Sequence, residues 1–127
     1  MKEEDIQKAV CQYLDLRNVL YFAPMNENVY SGILRHYIPR LATKIISSIM
    51  NKAKKMGKKK GVLDLFIMQS NMKYGALVIE LKTPTTKPTP EQIVWIKRLN
   101  QNNYYATVCH SVKEAISIIE LYLDNKL

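Results

Sequence analysis

Two apolar runs in this chain carry charges where a strand interior should carry none. Asp64 interrupts Gly61-Val62-Leu63-Asp64-Leu65-Phe66-Ile67-Met68, and Glu80 and Lys82 interrupt Ala76-Leu77-Val78-Ile79-Glu80-Leu81-Lys82. Both runs have the length and apolar content of buried strands. An unpaired charge in such a place costs roughly several kcal/mol. The fold must therefore supply these three groups with a counter-charge, a metal ion or a functional cleft.

The segments around them predict a mixed α/β architecture. Residues 3–17 read as a helix with Ile6, Val10, Tyr13 and Leu14 on one apolar face. Val19 to Ala23 is a short strand, and Pro24 to Tyr30 a loop. Residues 38–56 form the next helix, whose apolar positions cover about half of its circumference. That is wider than one sheet contact needs. Gly57 marks its end.

Strands Val62–Met68 and Ala76–Lys82 follow, with a hairpin as the simplest connection. After an extended linker, Thr89 is the N-cap of a helix with Pro90 at its first position. Tyr104–Cys109 is a further strand. Ser111-Val112-Lys113-Glu114 is a capping box opening the last helix, to about Leu123. The predicted order is α-β-α-β-β-α-β-α, a central mixed sheet flanked by helices in one domain spanning residues 1–127.

Composition narrows the functional classes. The chain has 127 residues, 47% of them hydrophobic, and a formal net charge of +8. That charge favours a polyanionic partner, with nucleic acid ahead of an anionic membrane. Lys52, Lys54, Lys55, Lys58, Lys59 and Lys60 crowd the segment just before Asp64. They suit either a solvated helix end, where cations complement the dipole, or a phosphate-binding surface. No apolar run approaches the roughly 18 residues of a membrane span. The polar start Met1-Lys2-Glu3-Glu4-Asp5 is unlike a signal peptide. Cys11 and Cys109 have neither metal spacing nor a disulfide framework, which fits a reducing, cytoplasmic setting.

Strand side chains alternate, so Glu80 and Lys82 share a face and Leu81 takes the other. If the two charged strands are neighbours, Asp64 approaches Glu80. Two close carboxylates repel unless one is protonated or a cation stands between them. Oxygen ligands of this kind suit Mg²⁺, which uses one or two carboxylates with waters and phosphate oxygens. A salt bridge between an acid and Lys82 at the sheet rim satisfies the same three residues.

Three other residues bear on that choice. Glu3 lies about 35° from the centre of the first helix's apolar face, whereas Glu4 lies about 135° away. Glu3 is thus either a third acid for the site or a first-turn carboxylate favoured by the dipole. Gln92 shares a stripe with Ile96 and Leu99, yet also completes a capping box with Thr89. Asn26 stands in a loop, where asparagine is commonly a turn former.

Taken in order, these residues resemble the VRR-NUC family, a branch of the PD-(D/E)xK nucleases. The resemblance runs from Glu3-Glu4-Asp5-Ile6-Gln7, through Lys54 to Leu65, to Ile79-Glu80-Leu81-Lys82 and Thr89 to Leu99. It implies a restriction-endonuclease-like core and a Mg²⁺- or Mn²⁺-dependent phosphodiesterase. Asp64 and Glu80 match the metal-binding acids, with the Leu81 carbonyl as a further ligand. Lys82 matches the catalytic lysine, Glu3 the first-helix acid and an added metal ligand, with Glu4 as the alternative register, and Gln92 the glutamine after the catalytic strands. Lys54, Lys55, Lys58, Lys59 and Lys60 would hold DNA, with Arg35 and Arg40 as weaker candidates. The family pattern has proline before the aspartate, and here that residue is Leu63.

Small standalone members of the family resemble phage and bacterial homodimers that cut branched DNA, including four-way (Holliday) junctions. The resemblance thus implies a homodimeric, structure-specific DNA endonuclease. Its rivals are a nuclease for flap or linear duplex DNA and a non-catalytic nucleic-acid-binding module with the same fold.

Overall fold

The computed structural model describes residues 1–127. Nine elements follow one another. They are α1 (Glu3–Leu16), β1 (Tyr21–Phe22), α2 (Glu27–Tyr37), α3 (Pro39–Lys55), β2 (Leu65–Ile67), β3 (Leu77–Leu81), α4 (Pro90–Gln101), β4 (Tyr105–Cys109) and α5 (Val112–Leu123). The expected order holds except that α2 is an added helix. Asn26, read as a loop former, is its N-cap, and its side chain accepts from the Asn28 N–H at 3.0 Å. The helix buries none of its residues, so no core-facing stripe announces it.

The chain separates into two compact units. One comprises residues Met1–Pro24 and Gly61–Leu127, the other Met25–Lys60. The first holds a four-stranded sheet in the order β1-β2-β3-β4. β1 with β2 and β2 with β3 are antiparallel, so the expected hairpin is present. β3 and β4 are parallel, and α4 makes the crossover that a parallel pair requires.

Each face of this sheet has its own cluster. Leu65, Ile67, Leu77, Ile79 and Leu81 pack with Ile6, Val10 and Leu14 of α1 and Ala115, Ile119 and Tyr122 of α5. On the other face, Leu63, Val78 and Ala106 pack with Phe66 and with Trp95, Ile96 and Leu99 of α4. All five residues of β3 are buried, so this strand lies between two layers. Its buried length explains why the sequence alternates so little there.

Local chemistry sets most helix ends. Gly57 has φ +100°, and the Lys58 and Gly57 N–H groups close onto Ala53 and Lys54 carbonyls. That pattern is a Schellman stop for α3. Asn18 and Asn125 take the same left-handed role after α1 and α5, with φ 53° and 58°. The glycine after α3 is legible in the sequence, while an asparagine in this role looks like any other polar residue. In α5 the Ser111 hydroxyl accepts from the Glu114 N–H, but the Glu114 carboxylate turns back to His110 N–H instead of Ser111. No helix is long and apolar enough to cross a membrane.

In the Met25–Lys60 unit, α2 and α3 form a helical pair. Tyr30 reaches Met50 Sδ at 3.0 Å, and Arg35 reaches the Thr43 hydroxyl at 3.4 Å. Only Ala42 and Ile46 are buried in this unit.

Candidate active site

The three strand charges converge at the end of β3. The β2–β3 register sets Leu65 opposite Ile79, so Asp64, one residue before β2, falls beside Glu80. Asp64 Oδ2 accepts from the Leu81 N–H at 2.8 Å. Asp64 therefore lies in the bend leading into the strand, and a backbone amide of β3 orients it. Burial raises its pKa, while the Leu81 N–H and the charge of Lys82 oppose the rise.

Glu80 is the one buried charged residue of the chain, at 1% exposure. Burial, and then the neighbouring Asp64 carboxylate, push its pKa up to about 8. Its Oε1 accepts from Gln92 Nε2 at 2.8 Å and lies 3.2 Å from Lys82 Nζ. Its Oε2 is buried with no hydrogen-bond partner. A buried carboxylate oxygen without a partner is costly, and here it belongs to the acid beside Asp64. A proton or a cation must offset the two adjacent carboxylates.

Lys82 follows β3 and shares the Glu80 face. Its ammonium lies 3.4 Å from Glu3 Oε1 as well as 3.2 Å from Glu80. Burial alone would lower its pKa, but the Glu80 and Glu3 charges outweigh that, and it stays above the ordinary lysine value. Lys82 is therefore held as a cation at the edge of the acid pair. Glu4 instead pairs with Lys8 at 2.9 Å on the open surface. The two helix acids separate as the helix geometry predicts, with Glu3 turned inward toward Lys82.

Gln92 does both things the sequence left open. Its Oε1 accepts from the Thr89 N–H at 2.8 Å, closing the capping box, while its Nε2 donates to Glu80. One side chain thus ties the start of α4 to the buried acid. Sequence reasoning misses a further contributor, Gly61. A Cβ there would lie 2.5 Å from Glu91 Cβ and 3.1 Å from Gln92 N, and its φ is +78°. Only glycine allows this approach without displacing the start of α4. The signal available for it is a lone glycine between a lysine run and an apolar strand.

The donor set fits a hard divalent cation with few protein ligands. No three His, Cys, Asp or Glu side chains gather closely enough to form a metal cage. Asp64 and Glu80 nevertheless offer two adjacent carboxylates, and one of their oxygens is orphaned. Magnesium commonly needs no more from protein, completing its shell with water and phosphate oxygens.

The lysines named from sequence lie in the Met25–Lys60 unit. Lys54 and Lys55 are exposed in the last turn of α3, and Lys59 and Lys60 are exposed just after it. Lys58 is half-buried and donates to the Met25 carbonyl at 2.7 Å.

The model of the VRR-NUC domain matches residues 1–113. The chain belongs to the VRR-NUC family. Two solved structures carry related folds. One described as a VRR_NUC domain protein is 22% identical, covers 98% of this chain and 89% of its own, and superposes with a TM-score of 0.74. Another, described as a VRR_NUC domain, is 20% identical, covers 96% of this chain and 98% of its own, and gives a TM-score of 0.59. No curated protein matches the chain significantly. The mixed sheet, its flanking helices and these relatives make this VRR-NUC chain a restriction-endonuclease-like α/β fold. The family is one of nuclease domains, so a nuclease role and DNA as partner follow at that level.

Proposed function

We propose that this VRR-NUC protein is a Mg²⁺- or Mn²⁺-dependent DNA endonuclease that cuts branched DNA such as four-way junctions. The observation that carries the catalytic part is the buried Asp64–Glu80 pair, with Glu80 Oε2 left unpartnered and Lys82 beside it. Asp64, Glu80 and the Leu81 carbonyl would hold the cation, with Glu3 as an outlying acid. When bound, the cation would polarise the scissile phosphate and favour an attacking hydroxide.

The remaining work falls to the chain's own residues. The Leu81 N–H fixes Asp64, and Gln92 fixes Glu80 through Oε1. That leaves Oε2 of Glu80 free for a ligand. Lys82 remains protonated between Glu80 and Glu3, so it can orient a water and offset negative charge growing on the phosphate. Cleavage would leave a 5′-phosphate and a 3′-hydroxyl. Lys54, Lys55, Lys58, Lys59 and Lys60 would hold the backbone without reading bases.

The branched substrate rests on a two-fold dimer. α2 exposes Val29, Ile33 and Tyr37 one turn apart, and α3 exposes Leu41 and Ile49. Such stripes suit a seam with a second copy, which would present two sites to a two-fold junction. The deciding experiment compares junction, flap and duplex substrates, each with Mg²⁺ and with EDTA. Metal-dependent cutting of junctions ahead of the others is the expected result. Binding without cutting under any metal would overturn the enzyme reading. A monomer by light scattering at micromolar concentration would overturn the dimer.

A further inference from the structure

Val78 and Glu80 both belong to β3 and lie two residues apart, so their side chains leave the sheet on the same face. Val78 also lines an apolar cavity of about 320 Å³, together with Phe22, Phe66, Met68, Ala76, Leu99 and Tyr104. The strand pairings explain this alignment. Phe66 is opposite Val78, and Phe22 is opposite Phe66. The two phenylalanine rings stack with centroids 5.1 Å apart and planes 13° apart.

α4 covers Val78 and Ala106 on this face but leaves the β1 side open. Phe22 is 49% exposed and Tyr104, across the cavity, is 37% exposed. Phe66 packs into the cluster beneath α4, whereas about half of Phe22, stacked on it, stays open to solvent on the same face as Glu80.

We propose that the Phe22–Phe66 pair is a stacking platform for an unpaired base of the nucleic acid whose phosphate lies at Asp64 and Glu80. This rests on the nuclease reading of that site. The spacing supports it, because Val78 and Glu80 are about 7 Å apart along the strand, the reach of one or two nucleotides. A strand with one phosphate at Glu80 must lay its neighbouring nucleotides along this face or away from it. Size also selects the occupant. Seven residues line the cavity, against the roughly 20–30 per side of a stable protein interface. Its volume is at the lower end of the range for small flat ligands, roughly 300–1,000 Å³. Aromatic rings accept any base, so the platform reads the unpaired state and not the sequence.

The test is a ratio of affinities, measured on the full chain with Ca²⁺ in place of Mg²⁺, so that the acid pair is neutralised while binding is read apart from cutting. One labelled DNA is a fully paired duplex, and the other is the same duplex with a single-base bulge. The wild type should prefer the bulge by about tenfold, the scale of one base–aromatic stack. Phe22→Ala and Phe22→Leu should erase that preference, and Phe22→Trp should keep it. Thermal unfolding of each variant verifies that it is folded. Phe22→Leu retains an apolar groove, so a leucine variant that still prefers the bulge would overturn stacking. Equal affinity of the wild type for both DNAs would overturn it too. So would a Phe22→Ala variant whose changed property is its oligomeric state, because the occupant would then be a second copy. Since binding is read apart from cutting, failure to cut any DNA in Mg²⁺ would count against the nuclease reading alone. Metal-dependent cutting with no bulge preference would count against the platform alone.

Discussion

The sheet unit and the α2–α3 unit solve the burial problem differently. The sheet unit encloses two apolar clusters, and its central strand is buried along its whole length. The α2–α3 unit buries only Ala42 and Ile46, yet exposes Val29, Ile33, Tyr37, Leu41 and Ile49. A segment of this size rarely builds a sufficient core alone. Buried apolar area is thus concentrated in the sheet unit, and exposed apolar stripes in the helical pair. The adjacent acids lie in the sheet unit, where packing on both faces holds them together against their repulsion.

The sharpest way to break this contrast is at the rigid site. Lys82→Ala should reduce metal-dependent cleavage by about a hundredfold or more, the scale of losing a preorganised charge at a developing oxyanion. DNA binding should survive for the most part. Gel-based cleavage and a binding titration on the same preparation check this. If the alanine protein cuts at the wild-type rate, Lys82 is not the catalytic cation.

Next comes a matched pair of truncations. Ile79→Ala, in the sheet core, should cost about 2–5 kcal/mol of stability. Ile33→Ala, on the exposed α2 stripe, should change the stability of the folded chain by less than about 0.5 kcal/mol. The same substitution should lower the molecular mass seen by light scattering if α2 forms the dimer seam. Denaturant melts and scattering, run together, separate core from seam. Similar stability losses at both positions would erase the distinction between the units.

The acid pair gives a pH signature confined to the sheet unit. Glu80 releases its proton near 4.5 when unfolded and near 8 when folded. Between those values the folded chain holds the extra proton, so stability falls as pH rises. The contribution is complete below pH 4.5 and gone above pH 8. Metal-free melts should follow that fall, and Glu80→Gln should flatten it. A metal-free wild type that gains stability over this window through Glu80 would contradict the buried-acid assignment.

The smallest effects belong to the second unit's cations. Replacing Lys59 and Lys60 by alanine should flatten the dependence of log affinity on log salt by about 0.9 for each phosphate that the two lysines neutralise. Fluorescence titrations across salt concentrations measure that slope. An unchanged slope would remove these lysines from the DNA surface.

Much of this architecture is legible in the sequence because its causes are local. Thr89, Pro90 and Gln92 specify a helix start through bonds spanning three residues. Gly57 stops α3 for a reason contained in one residue's φ. Helix α2 escapes such a reading because both usual signals fail. Its N-cap asparagine looks like a turn former, and its apolar stripe faces outward.

Three charges in or beside buried strands, Glu80 and Lys82 on one face, and Glu3 rather than Glu4 near the apolar side of the first helix were all legible in the chain itself. Periods of 2.0 and 3.6 residues are enough for those inferences. Their partnerships came only with the assembled sheet. It set Asp64 on the Leu81 N–H, joined Gln92 to Glu80, and turned Glu3 to Lys82. It also stacked Phe22 on Phe66. These contacts join residues far apart in the chain, and their geometry depends on strand order and register. No local period encodes either, because register is fixed only when the whole buried face is paired.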